Sequence, residues 1–131
     1  MAVSANFLEF VLDQLSGVGA VRSRRMFGGI GLYCDELFFG LVDDDIVYFK
    51  VDDSNRADYV ARGCEAFRPN ADDPHAVSMS YFRVPSDVLE DIDELKTWGR
   101  KAVMVAAAAA AVKSARSARP RAAKRIKKRP K

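Results

Sequence analysis

Arg25-Met26-Phe27-Gly28-Gly29-Ile30-Gly31-Leu32-Tyr33 places three glycines within four positions, between a basic segment and an apolar alternating one. Glycine reaches backbone conformations closed to other residues, so such a cluster marks a shaped turn or bulge, with Phe27 and Tyr33 packing on either side of a bend. The flanking residues read as strands. Val21 to Phe27, Ile30 to Cys34, Leu37 to Val42 and Ile46 to Val51 are short and rich in branched and aromatic side chains, and glycines, Asp35-Glu36 or Asp43-Asp44-Asp45 separate them. Four strands in succession with tight turns predict an antiparallel meander. A phosphate-cradling loop would also use glycines, but it needs a strand, a turn and then a helix in a parallel unit. Here a strand follows, which assigns the glycines to chain geometry.

On the N-terminal side, Phe7, Leu8, Val11, Leu12 and Leu15 share one face of a helix over 5–16, with Asn6 and Glu9 as a capping box and Gly17 as the stop. Beyond the meander, Asp53 is placed to cap a second helix through about Arg62, ended by Gly63, with Tyr59 and Val60 as its packing side. Arg68 to His75 holds two prolines, an asparagine and two aspartates and predicts an exposed loop. Val77 to Val84 reads as a fifth strand closed by Pro85. Val88, Leu89, Ile92, Leu95, Trp98, Ala102 and Val105 then recur near helical spacing, with a break near Asp91 to Asp93 where Asp93 can cap a second piece. Trp98, the one tryptophan, is predicted to anchor the core. The fold class is α+β: an antiparallel five-stranded sheet covered by helices, in the order α-β-β-β-β-α-β-α.

Together with Val47-Tyr48-Phe49-Lys50-Val51-Asp52-Asp53 and Met79-Ser80-Tyr81-Phe82-Arg83-Val84-Pro85, the glycine run resembles the N-terminal domain of the TfoX/Sxy family, bacterial regulators of natural competence. The segments recur in the family's order and spacing, and with the Trp98 helix they cover residues 5 to 110. The resemblance implies a small sheet-and-helix domain and a competence or transcription-regulatory accessory role.

Charge divides the chain. All 18 carboxylates lie at or before Glu94, so residues 1–112, with 11 cations, carry a net −7, while the last 19 residues carry +10. With 131 residues and 49% hydrophobic content, this predicts one folded domain over 1–112 and a disordered basic Lys/Arg/Ala/Pro tail over 113–131, in which Ile126 is the only large apolar residue. The tail resembles those of histone-like nucleoid proteins. Its cations Lys113, Arg116, Arg119, Arg121, Lys124, Arg125, Lys127, Lys128, Arg129 and Lys131 can neutralise phosphates and release counterions without reading bases. That makes DNA or another nucleic acid the expected partner. No basic-then-apolar leader precedes Phe7, and Ala102 to Val112 is too short to span a bilayer, which predicts a cytoplasmic protein with no membrane partner.

Within the acidic body, Arg22 and Arg24 share a strand face and can hold one phosphate or carboxylate between them, with Arg25 pointing the other way; the alternative is a solvated edge strand. Phe38-Phe39, Tyr48-Phe49 and Tyr81-Phe82 are adjacent aromatic pairs that send one ring to each face of the sheet. Helices cover one face, and the other predicts a homodimer contact in preference to a nucleic-acid stacking platform, for which only Lys50 and Arg83 supply nearby charge. Catalysis finds no support. His75, Ser78 and Ser80 lack a positioned base, Lys50 with Asp52 reads as a surface ion pair, and Asp43 to Asp45 reads as a charged turn without the ligand spacing of a calcium loop. Cys34, Cys64 and His75 form no zinc spacing, so the cysteines are read as structural thiols. No enzymatic activity and no cofactor are expected. The reading is a dimeric accessory regulator near DNA, with a possible transcription-factor partner. The alternative is a dimeric protein-interaction module whose tail serves solubility alone.

Overall fold

The computed structural model describes residues 3–26, 29–68 and 78–128. Helix α1 spans Ala5–Gln14 and runs into a 3-10 turn at Leu15–Gly17. The meander follows as β1 (Val21–Met26), β2 (Gly29–Cys34), β3 (Leu37–Asp43) and β4 (Ile46–Lys50). After it come α2 (Arg56–Ala61), β5 (Ala66–Phe67), β6 (Ser78–Arg83), α3 (Ser86–Glu90) and α4 (Ile92–Lys128). The sheet is antiparallel throughout, in the order β1-β2-β3-β4-β6-β5. It therefore has six strands where the sequence predicts five. The additional strand, β5, is two residues long and pairs only with β6, too short to leave an alternating pattern.

The bulge is displaced from its expected place. Gly29 to Cys34 pairs with β1 in unbroken register, and the irregularity falls where Leu32 pairs with Gly40 and Tyr33 with Phe38, leaving Phe39 without an opposite residue. That extra residue turns Phe39 into the core, fully buried, with its ring 5.7 Å from Phe49. Gly29 answers a different need: a Cβ there would lie 2.7 Å from the Val42 carbonyl oxygen, so glycine lets β2 approach β3 closely. Phe27 and Gly28 lie outside the described residues. Both two-residue hairpins hold non-glycine residues at positive φ, Asp35 (51°) and Glu36 (70°), then Asp44 (54°) and Asp45 (57°). This is the type I′ requirement, met by carboxylates in place of glycine or asparagine.

Each helix cap shifts by two residues from expectation. Ser4, rather than Asn6, caps α1: its Oγ accepts from the Phe7 amide at 3.1 Å. At α2, Asn55 replaces Asp53. The buried Asn55 accepts from the Asp52 amide at 2.9 Å and donates to the Lys50 carbonyl, which locks the exit of β4 to the helix start. Asp91, not Asp93, caps α4, its Oδ1 accepting from the amides of Asp93 and Glu94. At α1 and α4 the cap is the residue just before the helical turn, where the first free amides point, whereas Asn55 precedes α2 with its side chain bonded to the exit of β4 and not to the helix amides.

One side of the sheet carries the core. Val11, Leu15, Leu32, Phe39, Val42, Phe49, Tyr59, Phe82, Val88, Leu95 and Ala102 are buried there beneath the helices. Val60 does not pack inward, being 60% exposed, because Tyr59 takes the inner face of the single short turn of α2. Trp98 packs against the core as expected but stays half-buried at its rim, edge-on to Tyr59 at 4.8 Å between ring centroids. The inner stripe of α4 is Leu95, Gly99, Ala102 and Ala106, and its narrowest contact is at Gly99, where a Cβ would sit 2.7 Å from Val18 Cγ2.

Beyond Ala106 the residues through Lys113 are exposed, and the backbone stays helical to Lys128. Composition predicts disorder from residue 113. Alanine, lysine and arginine are also strong helix formers, and within 113–128 Pro120 is the one residue that removes a backbone donor.

Two expectations follow for stability. Gly99→Ala should lower unfolding free energy by about 1–3 kcal/mol in urea titrations, through overpacking against Val18, and a second change, Val18→Ala, should recover part of the loss. The Tyr59 hydroxyl is buried with no hydrogen-bond partner among the described residues, so Tyr59→Phe should stabilise the protein by about 1 kcal/mol, read as a rise in thermal midpoint.

Candidate functional site

Directly opposed residues of an antiparallel pair share a face. The registers Arg22 with Tyr33, Tyr33 with Phe38, Leu41 with Tyr48, Tyr48 with Arg83 and Lys50 with Tyr81 therefore gather one set of side chains on the side of the sheet away from the core. Their rings form a connected row: Tyr33 to Phe38 at 5.2 Å between centroids, and Phe38 to Tyr81 at 5.7 Å. A cation closes each end, the Arg24 guanidinium 5.7 Å from the Tyr33 centroid and the Lys50 ammonium 4.9 Å from that of Tyr81. Beside the row, Tyr48 meets Phe67 edge-on at 4.9 Å, next to Arg83.

Sequence reasoning paired these aromatics with Lys50 and Arg83 alone and treated Arg22 and Arg24 as a separate group. The sheet places all four cations on one face. The missing link was the register of β1 against β2, which no pattern within β1 reveals. Arg22, Ser23, Arg24, Tyr33 and Glu36 line a cleft of about 250 Å³ at the β1 edge. Across it Arg22 bonds Glu36 at 2.8 Å, an exposed pair of little stability value that an incoming anion can exchange with. Arg25 pairs with Ile30 and takes the opposite direction, as expected. A larger cleft, about 410 Å³ between α1, β4 and α3, mixes apolar residues such as Phe7, Phe10 and Leu89 with polar Asp45, Arg83 and Glu90.

The aromatic face perturbs its own phenols. Burial, with a smaller contribution from Tyr33, pushes the Tyr81 hydroxyl up to about 12. Tyr48 is also raised, first by burial and then by Asp43, with Arg83 opposing.

The other candidates have structural explanations. Asp52 is held below the usual carboxylate range by the Ser54 hydroxyl and amide that it accepts from, while Lys50 lies over Tyr81, so the two are not an acid/base pair. Asp44 and Asp45 form the hairpin turn, and Asp45 accepts from the Ser4 amide at 2.8 Å. Ser80 is exposed, and His75 lies outside the described residues. Cys34 and Cys64 are free thiols, both pushed up mainly by burial. Of the tail cations, Lys113 is exposed on α4, those from Arg116 to Lys128 lie on its helical backbone, and Arg129 and Lys131 fall outside the described residues. No described helix is long and apolar enough to cross a membrane.

The sequence profile of the TfoX N-terminal domain matches residues 13–106. The chain belongs to the TfoX N-terminal domain family. The match runs from Asp13, near the end of α1, to Ala106, the last buried residue of α4 among the described side chains, so it takes in the whole sheet and leaves the basic segment outside it. A relative, described as an uncharacterized 12.7 kDa protein in the trpE 5′ region of Spirochaeta aurantia, is 34% identical over 92 residues, 70% of this chain and 72% of that protein.

The raised Tyr81 pKa predicts an alkaline weakness in this TfoX domain. Its neutral form is favoured on folding, so its stabilising contribution is complete below about pH 10 and is lost as pH rises toward about 12. Tyr81→Phe should remove that part of the decline between those values, measured by urea titrations at stepped pH.

Proposed function

We propose that this TfoX-family protein is a cytoplasmic accessory regulator of the competence and transcription-regulatory type, kept near DNA by nonspecific contacts from residues 113–131. The observation that carries the reading is the charge division along the chain. The carboxylates stop at Glu94, ten cations follow Val112, and the domain they extend from carries a net −7. Such a body is repelled by a duplex, so affinity falls to the basic segment and is steeply salt-dependent. In this reading the domain contacts a protein, a transcription factor or a second copy, while the basic segment supplies residence on DNA. The aromatic sheet face, which no described helix covers, favours a second reading: a dimeric interaction module whose basic segment serves solubility.

Retention on duplex DNA separates the two. With about five to eight phosphates engaged, log K should fall against log salt with a slope of roughly −4.5 to −7, and scrambling the DNA sequence should have little effect. Replacing the ten Lys and Arg residues of 113–131 by glutamine in the full chain should abolish binding. Absent affinity at low salt, or affinity indifferent to salt, would remove the DNA role and leave the interaction module, whose own mark is a dimer in sedimentation equilibrium.

A further inference from the structure

The outer sheet face combines two features that duplex binding does not use. Three tilted rings lie in a row, and a cation stands over the ring at each end, Arg24 over Tyr33 and Lys50 over Tyr81. We propose that this face of the domain binds single-stranded DNA, bases stacking on Tyr33, Phe38 and Tyr81 while Arg24 and Lys50 hold the phosphates on either side.

Charge selects the occupant. The body carries a net −7, yet Arg22, Arg24, Lys50 and Arg83 converge on this one face; Glu36 bonds Arg22, and Asp43, Asp44 and Glu65 lie near Tyr48, which leaves Arg24 and Lys50 as the cations set against the row of rings. A second copy laid on it by a two-fold axis would set cations near cations, whereas a polyanion meets them with opposite charge. Geometry selects the single strand. Ring centroids 5.2 and 5.7 Å apart exceed the ~3.4 Å rise of a stacked duplex strand and suit bases splayed from one another. Stacking tolerates every base because each has a π face, so little sequence preference is expected. Rings and cations address bases and phosphates, neither of which needs a 2′-hydroxyl, and this makes DNA a sufficient ligand.

The inference stands apart from the basic segment. Anisotropy of a labelled dodecathymidine oligomer should report binding by the full-length protein at a salt concentration that has already released a random duplex. Phe38→Leu keeps apolar bulk but loses the stacking plane, and it should weaken oligomer binding about 5- to 100-fold. Arg24→Glu with Lys50→Glu changes side chains outside the core and should weaken it at least tenfold even if the Phe38 variant fails to fold. Neither change should alter duplex affinity at low salt more than twofold. A 5-iodouracil oligomer should photocrosslink to Tyr33, Phe38 or Tyr81. Failure of the DNA-tethering reading would look different: duplex binding absent at every salt with oligomer binding intact. Crosslinks confined to 113–131, or double-variant binding equal to the parent, would overturn the proposal. So would a dimer dissociated by the Arg24/Lys50 change with oligomer affinity unmoved, and dodecauridine bound tenfold more tightly would overturn the assignment to DNA.

Discussion

The packing is organised by the close approach of α4 to the segment that leads from α1 into the sheet. Gly99 lets the helix backbone settle against Val18, its missing Cβ standing 2.7 Å from a methyl group, with Leu15 and the Phe49 ring just beyond. Leu95, Ala102 and Ala106 continue the same narrow stripe. Small residues at the contact bring the helix axis near, and only then do the large rings of Phe39 and Phe49 fill the remaining space at interior density. The bulge in β3 serves this packing, because it turns Phe39 inward beside Phe49 where a regular strand would have kept strict alternation.

With the helices committed to one side, the other side is left to the alternate residues of the same strands. The adjacent aromatic pairs make this division residue by residue. Phe39, Phe49 and Phe82 are buried beneath the helices, while Phe38, Tyr48 and Tyr81 remain half-exposed on the opposite face. One member of each pair stabilises the fold and the other furnishes a surface. Cross-strand register then adds Arg22, Arg24, Lys50 and Arg83 to that surface.

α4 also joins two electrostatic regimes. Its first turn carries Asp93 and Glu94, the last carboxylates of the chain, and its far part carries only cations. Acids at a helix N-terminus and bases toward its C-terminus both agree with the helix dipole, so one element can hold this gradient without internal conflict. The family match stops at Ala106, where α4 loses its packing surface, so the domain and the basic segment are physically distinct parts of a single helix.

The meander, the α+β class and the element order apart from β5 are legible in the sequence, because these rest on local periodicity, and the hairpins fall at the acidic pairs that interrupt it. The sequence by itself also determined the charge division, which needs no geometry. Its failures have one cause. Composition narrows a helix start to a few polar residues, and only backbone position selects Ser4 over Asn6 and Asp91 over Asp93. The glycine run points to a bulge that the structure places in β3, because a bulge depends on what lies opposite in space, and there Phe39 has no partner in β2. The site divides likewise. Its aromatics were legible from strand alternation, but the union of Arg22 and Arg24 with Tyr33, Phe38 and Tyr81 was decided by the tertiary structure, because cross-strand register is set by distant segments and packing rather than by either strand alone.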